Sequence, residues 1–222
     1  MSSHAGTVLV LPSARDNHPS APFEMHPQAL IFDFDGTLAD TMPLHWIAWQ
    51  KLREHHGFLF TRERHYALGG IPSRDIIAMI NREQGLSLDP IAVAKEKELA
   101  YLELLEQVKP IDAVLDIARE HCGKLPMAVA SGGTRRVLET VLNHLRIRDF
   151  FQAVVTSEDV VRQKPAPDIF LEAARRLGVS PSTCRAFEDT ELGLTAIRAA
   201  GMEAVDVRQV PGAGAGYPVH EA

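Results

Sequence analysis

The chain has 222 residues, is 45% apolar and carries a formal net charge of −6 at pH 7, which suits one domain with a large insertion or two small domains. The acidic balance and the lack of any Lys/Arg-dense block argue against nucleic acid or an anionic membrane as partner. No apolar run approaches the ~18 residues that span a bilayer, and Cys122 and Cys184, far apart with no CxxC pattern, read as reduced thiols of a cytoplasmic protein.

Residues 1–28 are rich in Ser, Pro, His and Ala. Their short apolar run at 7–11 has no basic flank and is too short for a signal-peptide core, so a flexible tail is expected. Residues 30–34 read as a buried strand ending in Asp33-Phe34-Asp35-Gly36-Thr37. The pattern then turns helical. One helix is expected over 43–56, carrying Trp46 and Trp49 and closed by Gly57, and a second over 61–68, stopped by Gly69-Gly70. A third is expected over 73–84 with Ser73 as N-cap and Gly85 beyond it, and a fourth from Asp89-Pro90 to about 108. No strand signal interrupts this stretch, so it reads as an all-helical insertion over 42–108. Trp46 and Trp49 read as its core. His55, His56 and His65, with no carboxylate at metal-ligand spacing, read as surface.

From Pro110 the chain alternates. Helical stripes at 111–118, 137–145, 169–177 and 190–200 separate strands at 127–130, 153–155, 184–187 and 204–207. Alternation of this kind implies α/β architecture: a Rossmann-like parallel sheet covered on both faces. The expected core comprises 29–41 and 109–210, with the helical insert between them and a loose tail over 211–222.

In open α/β sheets the ligand sits at the carboxyl ends of the strands. Asp33 and Asp35, Ser131, and Glu188 and Asp189 fall at such ends, and Lys164 lies in a loop on the same rim. Residues two apart on a strand point the same way. Asp33 and Asp35 therefore repel unless one is protonated or a cation lies between them. Gly36 permits a sharp turn, and Thr37 adds a hydroxyl beside backbone N–H groups that could hold an anion. Ser131-Gly132-Gly133, between a strand and a helix start, offers a second anion site. Glu188-Asp189 supplies the hard oxygens that suit Mg²⁺, although Asp189 could equally cap the next helix.

Asp33-Phe34-Asp35-Gly36-Thr37-Leu38 with Asp40-Thr41 resembles the first motif of the haloacid dehalogenase superfamily, mostly magnesium-dependent phosphotransferases. Ala130-Ser131-Gly132, Lys164-Pro165-Ala166-Pro167-Asp168 and Phe187-Glu188-Asp189-Thr190 resemble its later motifs, in order, over residues 29–207. The insert is similar to the cap of the β-phosphoglucomutase-like branch, and within it to bacterial sugar-phosphate phosphatases of the fructose-1-phosphate and 6-phosphogluconate type. The resemblance implies a nucleophile, Asp33, forming an aspartyl-phosphate, and a general acid and base, Asp35, positioned by Thr41. It implies phosphate charge balance by Lys164 and substrate contacts from Thr37, Ser131 and Gly132, with His45, Gly70 and Arg74 on the cap. It implies Mg²⁺ on Asp33, the Asp35 main-chain carbonyl and Asp189, with Glu188 ligating directly or through water. The cap would close over the rim, hinged at Thr41 and before Pro110, in a monomer acting on a small phosphorylated sugar.

Asp35 argues against dehalogenation and against phosphonate cleavage, whose family members lack it. A sugar-phosphate mutase is the rival. It needs a second phosphate site, and where those mutases carry a lysine and an asparagine this chain has Thr134-Arg135, with Arg74 one place displaced. Hydrolysis is therefore favoured. A non-catalytic binding protein would be expected to have lost a carboxylate or the lysine, and none is missing.

Overall fold

The computed structural model describes residues 26–213. Most of the expected N-terminal tail and nearly all of the C-terminal tail therefore lie outside the described residues. Gln28, at the start of the described chain, donates its backbone N–H to Thr183 O (2.8 Å).

Five strands form one parallel sheet: β1 (Ala29–Phe32), β2 (Met127–Ala130), β3 (Ala153–Val155), β4 (Cys184–Glu188) and β5 (Glu203–Asp206). Their order is β3-β2-β1-β4-β5, so β1 is central, and its four residues are all buried. An unbroken apolar strand is what a sheet covered on both faces requires. The pleat divides the core. Leu30 and Phe32 share one face with Val129 and Phe187, under helices α5 (Asp112–His121) and α6 (Arg135–His144). Ala29 and Ile31 share the other with Ala128, Ala130 and Ala186, under α7 (Asp168–Leu177) and α8 (Glu191–Ala199). Short side chains on that second face let α7 and α8 sit close to the sheet.

The insertion follows β1 as four helices: α1 (Met42–His56), α2 (Arg62–Ala67), α3 (Ser73–Gln84) and α4 (Pro90–Leu102). It has a core of its own in Trp49, Leu52, Phe58, Phe60, Ile76, Ile77 and Ile80. Its two connections run together, Asp40 N–H to Lys109 O at 2.9 Å with an Ala39–Pro110 bridge beside it. No helix among the described residues is long and apolar enough to cross a membrane, and both cysteines are free thiols.

Four expectations differ from what is observed. β1 stops at Phe32, because Phe34 O accepts the N–H groups of Thr37, Leu38 and Ala39 and curls the chain into a turn. Ser73 is the first helical residue and not the cap: Pro72 precedes it, extended, and no side chain caps this end. α4 ends at Leu102 and gives way to a short 3₁₀ turn, Leu105–Gln107, where Leu104 N bonds Tyr101 O and Gln107 N bonds Leu104 O. Finally, His65 is buried and its Nε2 bonds Met42 O at 2.9 Å, while His55 and His56 both meet a carboxylate, Glu96.

Phe32 stacks on Phe187 with ring centroids 4.6 Å apart and meets Phe151 edge-on at 6.0 Å. Phe32→Ala should lower unfolding free energy by roughly 3–5 kcal/mol in urea titration. A loss under about 1 kcal/mol would mean that this face of the sheet repacks.

Candidate active site

Where β1 ends, Asp33 still donates its backbone N–H to Phe187 O (2.9 Å), so its carboxylate stays in register beside β4. Gly36 takes a positive φ of 86° and returns its N–H to Ala39 O. That turn carries Asp35 over the rim and brings Thr37 back toward β4. There the Thr37 hydroxyl donates to Asp189 Oδ1 at 2.9 Å. Both polar groups of Thr37 are thus used within the protein, its N–H bonding Phe34 O.

Lys164 lies in the loop before α7 with its side chain only 1% exposed. Its ammonium donates to Asp33 Oδ1 (2.6 Å) and to Glu188 Oε2 (2.7 Å) and lies over the Phe170 ring. Burial opposes its charge, but the Asp33 and Glu188 carboxylates hold it above the ordinary lysine range. The other oxygen of Glu188 accepts the N–H groups of Asp189 and Thr190 and the Thr190 hydroxyl. Thr190, not Asp189, caps α8, its hydroxyl accepting from Gly193 N. The capping alternative for Asp189 is therefore removed. A Cβ at Gly193 would overlap the Glu188 carboxylate.

Burial, then the Glu188 carboxylate, pushes Asp33 up to about 8 even against the Lys164 charge. Oxygens of Asp33, Glu188 and Asp189 lie within 4.8 Å of one another, and all three residues are buried. When ionised they outnumber the one ammonium among them. Hard oxygens with excess negative charge suit a divalent cation such as Mg²⁺, so the donor set fits that ion.

Asp35 stands apart from this cluster. Its Oδ1 accepts from the Thr41 hydroxyl (2.7 Å) and faces His45 Nε2 (3.1 Å); Ser131 Oγ lies 3.4 Å from its Oδ2. Burial works against the charge of Asp35, but His45, Thr41 and Lys97 outweigh it and hold the carboxyl far below its usual range. His45 Nδ1 faces Lys97 Nζ at 2.7 Å. An ammonium cannot accept, so Nδ1 is the acceptor and Nε2–H points at Asp35. Tyr101 stacks on the imidazole at 3.9 Å. Burial and the Lys97 charge lower the pKa of His45, and burial brings Lys97 down to about 8.

A cavity of about 430 Å³ opens above Asp35, between the insert and the sheet rim. Gly70, Arg74 and Lys95 line it from the insert, and Gly132, Gly133 and Arg136 from the core. The insert touches the core here. A Cβ at Gly132 would overlap the Gly70 carbonyl, and Gly70 itself (φ +82°) packs on the Lys164 stem. Ser131 Oγ accepts from Gly133 N at 3.0 Å, so its hydroxyl proton is directed outward toward Asp35. Arg74 reaches within 3.5 Å of Ser157 O across the gap. Arg135 turns away, bound to Asp159 Oδ2 at 2.5 Å, and does not line the cavity.

The structure thus brings Asp33, Asp35, Thr41, His45, Ser131, Lys164, Glu188 and Asp189 to one rim, with Gly70, Arg74 and Gly132 around the cavity above it. Thr37 reaches the site through Asp189. Sequence reasoning missed Lys97, Thr190 and Gly193. Lys97 left a signal: Val93, Ala94, Lys97 and Tyr101 share the buried stripe of α4, where a lysine is out of place.

A family model for haloacid dehalogenase-like hydrolases matches residues 30–207. The fructose-1-phosphate phosphatase YqaB of Escherichia coli is 44% identical over 81% of this chain and 95% of its own. The β-phosphoglucomutase of Bacillus subtilis is 35% identical over 82% and 84%. The crystal structure of β-phosphoglucomutase from Clostridium difficile superposes with a TM-score of 0.73 at 27% identity, covering 81% of this chain and 84% of that one.

Gly132→Ala should hold the insert off the core and lower kcat/KM about 100-fold, with the thermal melt little changed. Unchanged kcat/KM would mean that the Gly70–Gly132 approach plays no part in turnover.

Proposed function

The chain belongs to the haloacid dehalogenase-like hydrolase family and is a phosphoric monoester hydrolase; from that premise we propose that it is a Mg²⁺-dependent sugar-phosphate phosphatase working through an aspartyl-phosphate on Asp33. The observation that carries this reading is the pairing of two adjacent aspartates in opposite settings. Asp33 is bridged to Lys164, and Asp35 is held by Thr41 and His45. One is placed to attack and the other to move protons.

An oxygen of Asp33 attacks phosphorus, and the bond from phosphorus to the sugar oxygen breaks. Lys164 stays on Asp33 Oδ1 and balances the charge that builds on the phosphoryl oxygens. Asp35 is ionised in the resting site. A phosphate dianion set against it raises its proton affinity, so Asp35 takes up a proton from solvent as the substrate binds and passes it to the leaving alkoxide. Asp35, now a carboxylate, takes a proton from the water that attacks the aspartyl-phosphate, releasing inorganic phosphate and restoring Asp33. Ser131 and the Gly132 and Gly133 amides hold the phosphoryl group, and Gly70 and Arg74 close the cavity over the sugar. Asp33, Asp189 and the Asp35 main-chain carbonyl would hold Mg²⁺, which when bound neutralises phosphoryl oxygens and lowers the proton affinity of Asp33. Both oxygens of Glu188 are engaged by Lys164 and the α8 turn, so it supports the cation through water.

The E. coli relative acts on fructose 1-phosphate by its name, and a cavity of about 430 Å³ suits a substrate of that size. A mutase would need a second phosphate site. Arg74, Lys95 and Arg136 line the cavity, but Arg135, at the position where the mutases carry their second-site residues, is committed to Asp159, which weighs for hydrolysis.

The test is Mg²⁺-dependent phosphate release from fructose 1-phosphate, hexose 1- and 6-phosphates and 6-phosphogluconate, with glucose 6-phosphate detection from β-glucose 1-phosphate alongside. Free phosphate is expected from wild type and none above background from Asp33→Asn. Glucose 6-phosphate formed without free phosphate would replace hydrolysis with the mutase reading.

The pH profile carries a second expectation. Below about 8 Lys97 is protonated and fixes the His45 tautomer; above it the ammonium is lost. Turnover should therefore fall as pH rises through about 8, while ionisation of Asp33 acts in the opposite sense. Lys97→Met should lower kcat about 10-fold and abolish the alkaline fall. A variant that keeps that fall would remove Lys97 from the positioning network.

A further inference from the structure

Away from the rim, on the far side of the insert, three metal-ligating side chains converge. His55 and His56 are the last two residues of α1, which Gly57 closes in the left-handed conformation. Adjacent residues on a helix point about 100° apart, yet these two imidazoles lie with centroids 4.4 Å apart. Both face one carboxylate on α4. His55 Nδ1 lies 2.7 Å from Glu96 Oε1, and His56 Nε2 lies 2.8 Å from Glu96 Oε2. Each oxygen serves its own imidazole, and the three ligand atoms lie within 4.8 Å of one another.

We propose that His55, His56 and Glu96 form a second metal site, specific for a borderline transition-metal ion of the Zn²⁺ class and separate from the carboxylate cluster. Three features argue for it. Two imidazoles with one carboxylate is a donor set that suits Zn²⁺, Ni²⁺ or Cu²⁺ and not Mg²⁺. Metal–ligand bonds of about 2.0–2.2 Å set ligand atoms about 3.3 Å apart, so the two hydrogen-bonded His–Glu spacings of 2.7 and 2.8 Å need to open by only about half an ångström to admit the ion. The carbonyl end of α1 also favours positive charge. Binding breaks two hydrogen bonds and no covalent framework: each facing nitrogen gives up its proton, or moves it to the far ring nitrogen, and offers a lone pair. His55 is 68% exposed, so the remaining coordination positions open to water. The ion ties the end of α1 to the middle of α4. Those are the two helices already joined by His45 and Lys97, so it stiffens the insert as one body.

The full-length protein, titrated with Zn²⁺ under saturating Mg²⁺, should bind one equivalent by calorimetry. Its thermal melt should rise by about 5 °C at a hundredfold excess over Kd. Glu96→Gln and His55→Asn should each weaken Zn²⁺ binding at least about 10-fold and abolish that rise, while leaving Mg²⁺-dependent phosphatase turnover as in wild type. Absence of Zn²⁺ binding by the wild type, or full-affinity binding by both variants, would overturn the site.

Discussion

The Lys164 ammonium is the interaction on which the rest of the rim depends. Asp33 and Glu188 end neighbouring strands, and parallel register forces them together with Asp189 at the edge of the core. Buried carboxylates in that number are unstable without compensation. The lysine enters from a third element, lies between two of them, and is itself desolvated. Removing any partner leaves the others uncompensated, which is the situation in which a buried ion pair matters most. The remaining excess of negative charge is what makes the cluster a place for a hard cation.

That electrostatic knot also dictates where the backbone must be bare. Glu188 can turn one oxygen to Lys164 and the other to the start of α8 only because Gly193 leaves room beneath it. Gly132 and Gly70 let two backbone segments meet over Lys164 where side chains would hold them apart. The insert has its own apolar core. At its base it also shares packing with the sheet, since Leu44, Ala48 and Tyr101 join the cluster of Leu30 and Phe32. Its contribution to the chemistry comes through polar contacts: His45 and Lys97 toward Asp35, and Arg74 across the gap.

Much of this was legible in the chain because the signals were local. The apolar run into Asp33 and Asp35, the glycines closing α1 and α3, and Asp89-Pro90 opening α4 each act within a few residues. The sheet, the helical insert and the rim carboxylates followed from them. What was illegible depended on register or on distant partners. Asp189 could be a helix cap or a metal ligand until the extent of β4 through Glu188 placed Thr190 at the start of α8 as its cap. Lys97 stands out on the buried stripe of α4, but its partner His45 lies 52 residues away, so its task was not readable locally. Glu96, one residue earlier, meets His55 and His56, some forty residues back in the chain.

Distant partners also explain how Asp33 and Asp35, with identical side chains two residues apart, take different tasks. Burial and neighbouring carboxylates raise the proton affinity of Asp33, and the compensation it needs comes from Lys164 on the core. Asp35 faces the insert, where a hydroxyl, an oriented imidazole and a second lysine lower its proton affinity. The core therefore governs the carboxylate suited to attack, and the insert governs the one suited to proton transfer. α1 and α4 bring the His45–Lys97 pair to Asp35 where the insert lies against the rim, so the packing that encloses the cavity also sets the surroundings of Asp35.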